Sequence, residues 1–230
     1  MASNAASSVP TARVRVWDLP TRLFHWALAG CVIGLVATAK TGAMEWHFRL
    51  GYTTLALLLF RLVWGFAGGY WSRFGSFLRG PGTVMAYLRG RADGHSQLGH
   101  NPLGALSVLG MLSVLLLQVA TGLMADDAIS FTGPLAAVVP GAWSSWATDW
   151  HKDAGQWLVI ALVVLHVLAV AFHAVVKRER LVPAMVTGDR TVQVATAVPQ
   201  SRDDLPRRTL GLVLFSLCAA VAAWVSTLQG

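Results

Sequence analysis

Residues 150–176 read WHKDAGQWLVIALVVLHVLAVAFHAVV. The stretch is apolar, long enough to cross a bilayer once as a helix, and carries His151, His166 and His173. Ionisable side chains inside a membrane segment are costly unless they pair or bind something, so the stretch is predicted to contribute to a functional site. On an α-helix, the step from His151 to His166 is about 22 Å of rise and about 60° of rotation, so both face broadly the same way. They are therefore predicted to belong to two separate centres stacked across the membrane.

The composition of the whole chain indicates a membrane protein. Of its 230 residues, 55% are hydrophobic, and the mean hydropathy is +0.55. Five apolar segments approach the roughly 20 residues that a spanning helix needs, although the first is marginal at about 17. They are residues 23–39, 47–66, 103–124, 150–176 and 210–228. The predicted fold class is an all-α integral membrane four-helix bundle with a fifth, C-terminal transmembrane helix.

Basic residues concentrate at one end of this predicted bundle. They precede the first segment and also lie in the connections after the second and the fourth: Arg13, Arg15, Arg22, Arg73, Arg79, Arg89, Arg91, Lys177, Arg178, Arg180, Arg190, Arg202, Arg207 and Arg208. The opposite end has Lys40 and Lys152 together with five carboxylates, Glu45, Asp126, Asp127, Asp149 and Asp153. The positive-inside rule then predicts a bacterial inner-membrane protein with its N-terminus in the cytoplasm and its C-terminus outside. The net charge of +7 is thus an orientation signal, and no nucleic-acid partner is predicted.

The connecting segments give the predicted domain limits. Residues 1–22 are a cytoplasmic N-terminal segment leading into an uncleaved anchor, 23–188 the main transmembrane domain, 189–208 a cytoplasmic linker and 209–230 the last helix. The linker prediction rests on the polar character of residues 187–208. Gly80 and Pro81 introduce a short amphipathic helix that ends near Gly90. Cys31 and Cys218 have neither disulfide nor metal-ligand spacing and are predicted to be core residues, and without a CxxCH motif covalent haem is excluded.

Helical rise places four histidines at two matching depths. His25 lies 15 residues before Lys40, about 22 Å from the outer end of the first helix, and His166 is about as far from His151 on the inward-running fourth helix. His47 and His151 both lie at the outer edge. Neutral imidazole fills both axial positions of an electron-transferring haem, so His25 with His166 and His47 with His151 predict two non-covalent, bis-histidine haems b.

Glycines and arginines near these depths are candidate haem contacts. Gly30, Gly34 and Gly51, with Gly155, are predicted to leave room for the porphyrins, although small residues also serve ordinary helix packing. Arg61 lies about 21 Å inward of His47, where a haem propionate is its natural partner, and Arg49 is the corresponding candidate at the outer side. For both arginines the alternative is a side chain that extends to the lipid headgroups.

Other polar residues receive weaker assignments. His173 is predicted to be an interfacial residue, with replacement of His166 as inner ligand as the alternative. His95 and His100 are expected to be solvated or to contact a propionate. Asp18, Arg22 and Asn101 are candidates for a quinone pocket, with helix capping as the ordinary alternative.

Four motifs carry a resemblance to a known family. VWDLPTRLFHW, LALLLFRLVWGFAGGYWSRFGSFLRGP, GHNPLGALSVL and RERLVPAMVTG occur in this order between residues 16 and 188. They resemble the bacterial cytochrome b561 family, which includes the b-type subunits of nickel-iron hydrogenases. The resemblance implies a four-helix core with two haems b, ligated by His25 with His166 and by His47 with His151. The chain departs from many members in having one more residue between His151 and His166, and the fifth helix lies outside the shared core.

The function implied by the resemblance is electron transfer between the membrane quinone pool and a periplasmic redox partner, such as a c-type cytochrome or another exported redox subunit. Outer-face carboxylates are predicted to steer a basic partner. Three alternatives stand beside this prediction. They are the membrane anchor of a nickel-iron hydrogenase, a superoxide:quinone oxidoreductase, and a haem-free transporter in which the histidines gate an ion path.

Overall fold

The computed structural model describes residues 11–78, 80–91, 99–193 and 198–228, so Arg79 and His95 lie outside the described residues. Helices dominate the described chain, and a short antiparallel pair of strands joins the residues before the first spanning helix to residues between the fourth and the fifth. In order, the elements are β1 (Thr11–Arg15), α1 (Leu19–Thr41), α2 (Met44–Ala67), α3 (Phe74–Phe77), α4 (Pro81–Leu88), α5 (Pro102–Met124), α6 (Gly141–Asp149), a π turn (Trp150–Ala154), α7 (Gly155–Val175), α8 (Leu181–Thr187), β2 (Asp189–Gln193) and α9 (Leu205–Ser226). Single 3₁₀ turns occur at Tyr70–Ser72 and Ala136–Val138.

Five helical segments of the described residues are long and apolar enough to cross a membrane. They are α1, α2, α5, the continuous run from α6 through α7, and α9. The predicted all-α membrane bundle with a fifth, C-terminal helix is therefore confirmed. The end of the bundle that carries β1 and β2 is called the sheet side below, and the end that carries residues 125–140 is called the loop side.

The first helix is longer than its apolar segment predicted. It begins at Leu19 and spans 23 residues, because the Asp18 side chain accepts the backbone N–H of Thr21 at 2.8 Å and Pro20 lies in the first turn. Thr21 is buried despite its polarity, since its hydroxyl is 2.7 Å from that of Ser72. A count of apolar residues omits such side chains, although their hydrogen bonds offset the free-energy cost of burying them.

The first part of the predicted linker, residues 189–193, forms a strand. β2 pairs antiparallel with β1, with Arg15 opposite Asp189, and the Arg15 Nε lies 2.8 Å from the Asp189 carboxylate. Val14 and Val16 of the N-terminal segment pack with Trp17, Trp71 and Ala184 beneath this sheet. Residues 11–18 and the described part of the polar stretch before α9 are thus built into one folded cap on the sheet side.

The fourth spanning segment begins nine residues earlier than predicted. The chain between the third and fourth predicted segments, residues 125–149, becomes helical at Gly141, where α6 begins, and the π turn joins α6 to α7 without a break. Pro140 precedes the first helical turn, where its fixed φ suits a helix start. The predicted short helix after Gly80 is confirmed as α4, and Gly90 follows it with a φ of +72°.

The spanning helices pack as neighbours around an apolar core. α1 packs on α2, α5 packs on α7, and α2 also contacts α5 and α9. The core contains Phe24, Phe60 and Trp64 from α1 and α2, and Cys31 and Cys218 are buried free thiols within it, as predicted. Gly211 of α9 lies against Pro20 and Trp64, where a Cβ would be 2.7 Å from the proline ring. The fifth helix therefore packs directly on the first two.

Candidate functional site

Two pairs of histidine rings face each other inside the bundle. On the sheet side, the ring centroids of His25 on α1 and His166 on α7 are 6.4 Å apart. On the loop side, the centroids of His47 on α2 and His151 in the π turn are 6.1 Å apart. All four residues are half-buried. The structure thus brings together the two pairs that helical rise predicted.

The ring separations agree with a metal atom between each pair. A metal–nitrogen bond of about 2.0 Å on each side, plus about 1.1 Å from each nitrogen to the centre of its ring, gives about 6 Å between centroids. Within the described parts of the chain, no third His, Cys, Asp or Glu joins either pair in a metal-binding group. Two imidazoles without a third protein ligand would suit an iron that is held by a porphyrin.

Each loop-side histidine is held by a hydrogen bond at Nδ1, the ring nitrogen that would not bind a metal. The Nδ1–H of His151 donates to the carbonyl oxygen of Gln118 at 2.8 Å. The Nδ1 of His47 lies 3.1 Å from the carbonyl oxygen of Leu35 and 3.3 Å from the hydroxyl of Thr38. A carbonyl can only accept, so both rings carry their proton on Nδ1 and leave Nε2 as the free metal ligand.

The sheet-side pair has buried nitrogen groups around it. Arg61 is 4% exposed, and its Nη1 has no hydrogen-bond partner among the described residues, while its guanidinium lies over the Phe74 ring at 4.8 Å. The Nδ1 atoms of His25 and His100 are likewise buried without a described partner. Buried unpaired donors are costly, and an anion among them would remove the cost. A haem propionate is such an anion.

His100 differs from the solvated residue that its loop position allowed. Its ring packs between Trp17 and Phe77, with centroid separations of 4.8 and 4.6 Å. Burial, assisted by the positive charge of Arg61, lowers the pKa of His100 to about 3. His100 is therefore neutral near pH 7 and has a proton to donate from one ring nitrogen.

The predicted glycines divide into two groups. Gly30 and Gly51 have open space where a Cβ would project, so they leave room beside the histidines. A Cβ on Gly34 would lie 2.7 Å from Leu50, so Gly34 serves the packing of α1 on α2. Gly155 accommodates Gln118 and Trp150 in the same way. Open space beside a haem plate thus remains a prediction for Gly30 and Gly51 only.

Arg49 does not point towards the loop-side pair. Two residues on a helix are separated by about 200°, so Arg49 faces away from His47. Its guanidinium pairs with Glu45 and lies 5.1 Å from the Trp46 ring centroid on the exposed surface. The assignment of Arg49 to a propionate stays a prediction; in this structure the Glu45 carboxylate one turn away holds its guanidinium.

The remaining polar candidates have structural partners. Asp18 is fully buried and caps α1, Asn101 caps α5 through the backbone N–H of Gly104 at 2.7 Å, and Arg22 donates to the carbonyl of Val186 at 2.6 Å. The ordinary alternative of helix capping is thus correct for Asp18 and Asn101. His173 lies 3.6 Å from the Glu179 carboxylate at the end of α7, and His166 is the ring that faces His25.

Sequence reasoning missed two residues of α5 that touch His151. Gln118 supplies the carbonyl that holds the ring, and its side chain also bonds the His151 backbone. A Cβ on Gly122 would lie 2.7 Å from the Cε1 of His151, so only glycine leaves space for the ring there. The available signal was a single amide in an otherwise apolar helix, which is the kind of polar residue that marks function inside a membrane.

The loop beyond the second pair is ordered by one carboxylate. Asp127 accepts the backbone N–H groups of Ile129, Ser130 and Phe131 at 2.8 to 3.1 Å. Hydrogen bonds from Phe131 first, then Ser130 and Ile129, lower the pKa of Asp127 to about 2. The loop-side surface therefore keeps this negative charge at any physiological pH.

Comparisons with known proteins agree with this geometry. A family model described as prokaryotic cytochrome b561 matches residues 16–188. A curated relative from Escherichia coli (strain K12), named probable Ni/Fe-hydrogenase 1 B-type cytochrome subunit, is 24% identical over 76% of this chain and 90% of its own length. Probable Ni/Fe-hydrogenase B-type cytochrome subunits from Cupriavidus necator and Azotobacter chroococcum are 25% and 27% identical, over 76% and 77% of this chain and 86% and 88% of their own lengths. No solved structure matches the chain significantly.

The family model covers most of the chain, including all four paired histidines, and its members are b-type cytochromes, which bind haem b. The five apolar helices and the family together indicate a multi-pass membrane protein. The chain therefore belongs to the prokaryotic cytochrome b561 family.

Proposed function

We propose that this protein is a di-haem b-type cytochrome that carries electrons across the membrane, with His25 and His166 ligating one haem and His47 and His151 the other. The observation that carries the proposal is the pair of ring separations, 6.4 and 6.1 Å, at opposite ends of one bundle. Along a helix, His151 and His166 are separated by about 22 Å of rise. With two centres at that separation, an electron would cross the membrane in two shorter steps.

The protein groups favour electron transfer over chemistry at the iron. Haem b would supply a one-electron couple when bound, and the two imidazoles of each pair would hold its iron, which suits electron transfer rather than binding of a substrate to the metal. His47 and His151 in addition keep their Nε2 atoms available through Nδ1–H bonds to backbone carbonyls.

Arg61 and His100 are the proposed propionate ligands of the sheet-side haem. The Arg61 guanidinium provides the positive charge, and neutral His100 adds a hydrogen-bond donor. The support for this assignment is that both side chains have buried nitrogen atoms without a described partner. Gly30 and Gly51 are proposed to lie beside the porphyrin faces.

The sheet side is the proposed place of exchange with quinone, and it faces the cytoplasmic leaflet of the bacterial inner membrane. The excess of basic residues at this end supports that orientation through the positive-inside rule. Asp18, Arg22 and Asn101 are occupied by capping and backbone contacts, so the quinone would contact other residues.

The proposed partner on the loop side is an exported Ni/Fe hydrogenase. Relatives that match over most of their length are named as hydrogenase B-type cytochrome subunits, and this favours a hydrogenase over the c-type cytochrome that the sequence first suggested. No observation specifically favours superoxide oxidation. The Asp127 carboxylate and its neighbour Asp126 are available to steer a basic surface.

A pyridine haemochrome assay with an optical redox titration tests the central proposal on the purified protein. We expect two haems b per chain, low-spin bands and two titration steps. One haem per chain would show that one histidine pair is structural, and none would favour the transporter alternative.

A co-purification experiment tests the partner. Affinity-tagged protein isolated from its native membrane should carry a hydrogenase large subunit, and hydrogen should reduce its haems anaerobically. Co-purification of a c-type cytochrome without hydrogenase would restore the first prediction. Association that is insensitive to ionic strength would rule out steering by the carboxylates.

A further inference from the structure

The π turn at residues 150–154 interrupts the hydrogen-bond ladder at one of the proposed ligands. The backbone N–H of Gly155 bonds the carbonyl of Trp150, five residues earlier, instead of the carbonyl of His151, four residues earlier. The His151 carbonyl thereby loses its ordinary helical donor. A helical carbonyl that has lost its donor needs another partner.

Gln118 of α5 supplies that partner. Its side-chain amide nitrogen donates to the His151 carbonyl at 2.9 Å, while its own backbone carbonyl accepts the Nδ1–H of the His151 ring at 2.8 Å. One residue therefore holds both the backbone and the ring of His151. Gly122, one turn further along α5, leaves space for the ring on the same helix face.

Gly155 makes this grip sterically feasible. A methyl group at position 155 would overlap the side-chain oxygen of Gln118 and would lie 2.6 Å from the indole nitrogen of Trp150. The glycine thus admits the Gln118 side chain to the π turn. Gly155 therefore makes room for Gln118 and is not one of the glycines proposed to lie beside the porphyrins.

We propose that the Gln118 side chain is a positioning group for the loop-side haem ligand: by holding the His151 backbone it sets how closely the Nδ1–H of the ring meets the backbone carbonyl of Gln118, and so tunes the reduction potential of that centre alone. The proposal rests on the proposed function, since it presupposes a haem between His47 and His151. A hydrogen bond from the non-ligating nitrogen to a carbonyl raises the basicity of the ligand and favours the ferric state. A looser grip therefore raises the midpoint potential of this haem.

The test replaces Gln118 by methionine, which has similar length and no N–H donor. We expect Gln118→Met to retain two haems and to shift one midpoint potential in the positive direction, with a changed low-spin electron paramagnetic resonance signal for that haem only. A His47→Ala variant, lacking the loop-side centre, assigns the signals. Thr121→Val is the matched control, because Thr121 bonds only carbonyls of its own helix, so both potentials should stay unchanged.

A second variant perturbs the same contact with Gln118 intact. Gly155→Ala should push the Gln118 side chain away and shift the same potential in the same direction, whereas Gly141→Ala, which has open space, should not. Unchanged potentials in both Gln118→Met and Gly155→Ala, or equal shifts of both haems, would overturn the positioning role. Absence of haem from the wild-type protein would instead overturn the proposed function.

Discussion

Asp18 illustrates how a single buried carboxylate organises the sheet side. It accepts from the backbone N–H groups of Thr21 and Gly69, the indole of Trp64 and the hydroxyl of Ser72, at 2.8 to 3.1 Å. These contacts connect the start of α1, the end of α2 and the turn that follows. The carboxylate is therefore a structural group, and its hydrogen bonds leave it no free lone pair for a ligand.

Asp18→Ala should destabilise the protein strongly. The backbone N–H groups of Thr21 and Gly69 would lose their acceptor, and each unsatisfied buried donor costs about 1–3 kcal/mol, so we expect a loss of about 2–6 kcal/mol. Thermal unfolding in detergent, followed by circular dichroism, measures the change. Asp149→Ala removes an exposed carboxylate and should leave the midpoint within the error of wild type. Equal midpoints for the two variants would show that the Asp18 contacts contribute little.

The histidine assignment makes a second prediction for individual residues. His166→Ala should lose one haem, because its ring faces His25, whereas His173→Ala should keep both, since His173 lies beside Glu179 at the helix end. The pyridine haemochrome assay gives the haem-to-protein ratio of each variant and so shows how many haems it retains. Two haems in the His166→Ala variant would refute the sheet-side pair.

For individual residues, the sequence predicted the properties that follow from helix geometry alone. Depth follows from a fixed rise, so the pairing of His25 with His166 and of His47 with His151 could be predicted. The direction of Arg49 could not, since depth ignores rotation and a local Glu45 partner. Gln118 was missed because its importance depends on a carbonyl that only the π turn exposes.

The π turn also explains how the 15-residue step from His151 to His166 fits the bundle. A π turn accommodates one extra residue, so α7 continues as though the step were 14 residues long. The angle between the two histidines then changes from about 60° to about 40° in the opposite sense. The extra residue is thus absorbed locally, next to the ligand that Gln118 holds.

Two single-residue deletions of equal length test this account. Deleting Lys152 removes the extra residue from the π turn, so both histidine pairs should remain in register and two haems should bind. Deleting Val164 keeps the π turn and rotates His166 by about 100° relative to His151, so the sheet-side haem should be lost. Haem content distinguishes the variants. Loss of the sheet-side haem from both would show that the π turn does not set the register.

The two β-strands, which pair with each other over a long stretch of sequence, could not be predicted. β1 and β2 are separated by more than 170 residues, and neither is apolar enough to be recognised as a strand alone. Their pairing brings Arg13 and Arg15 against Asp189, a contact between residues far apart in the sequence. The spanning helices, by contrast, each carry their own hydropathy signal, which is why their number and order could be predicted.

For the whole molecule, the two haem sites and the charge distribution define one axis. The His25 and His166 pair lies towards the sheet side, where most arginines are, and the His47 and His151 pair lies towards the loop side with Asp126 and Asp127. The sheet further joins the N-terminal segment to the stretch before α9, so the basic end is one folded surface. Orientation of the bundle therefore decides which haem meets the cytoplasm and which meets an exported partner.

Topology reporters test that orientation directly. Alkaline phosphatase, which is active only after export, should be active when fused after Gly133 or Leu228 and inactive when fused after Gly188, because an arginine-rich end stays in the cytoplasm. A fluorescent protein that folds only in the cytoplasm should give the reverse pattern at the same three positions. Activity of the phosphatase after Gly188 alone would invert the protein, place the His25 and His166 haem at the outer face, and move the proposed hydrogenase contact to the sheet side.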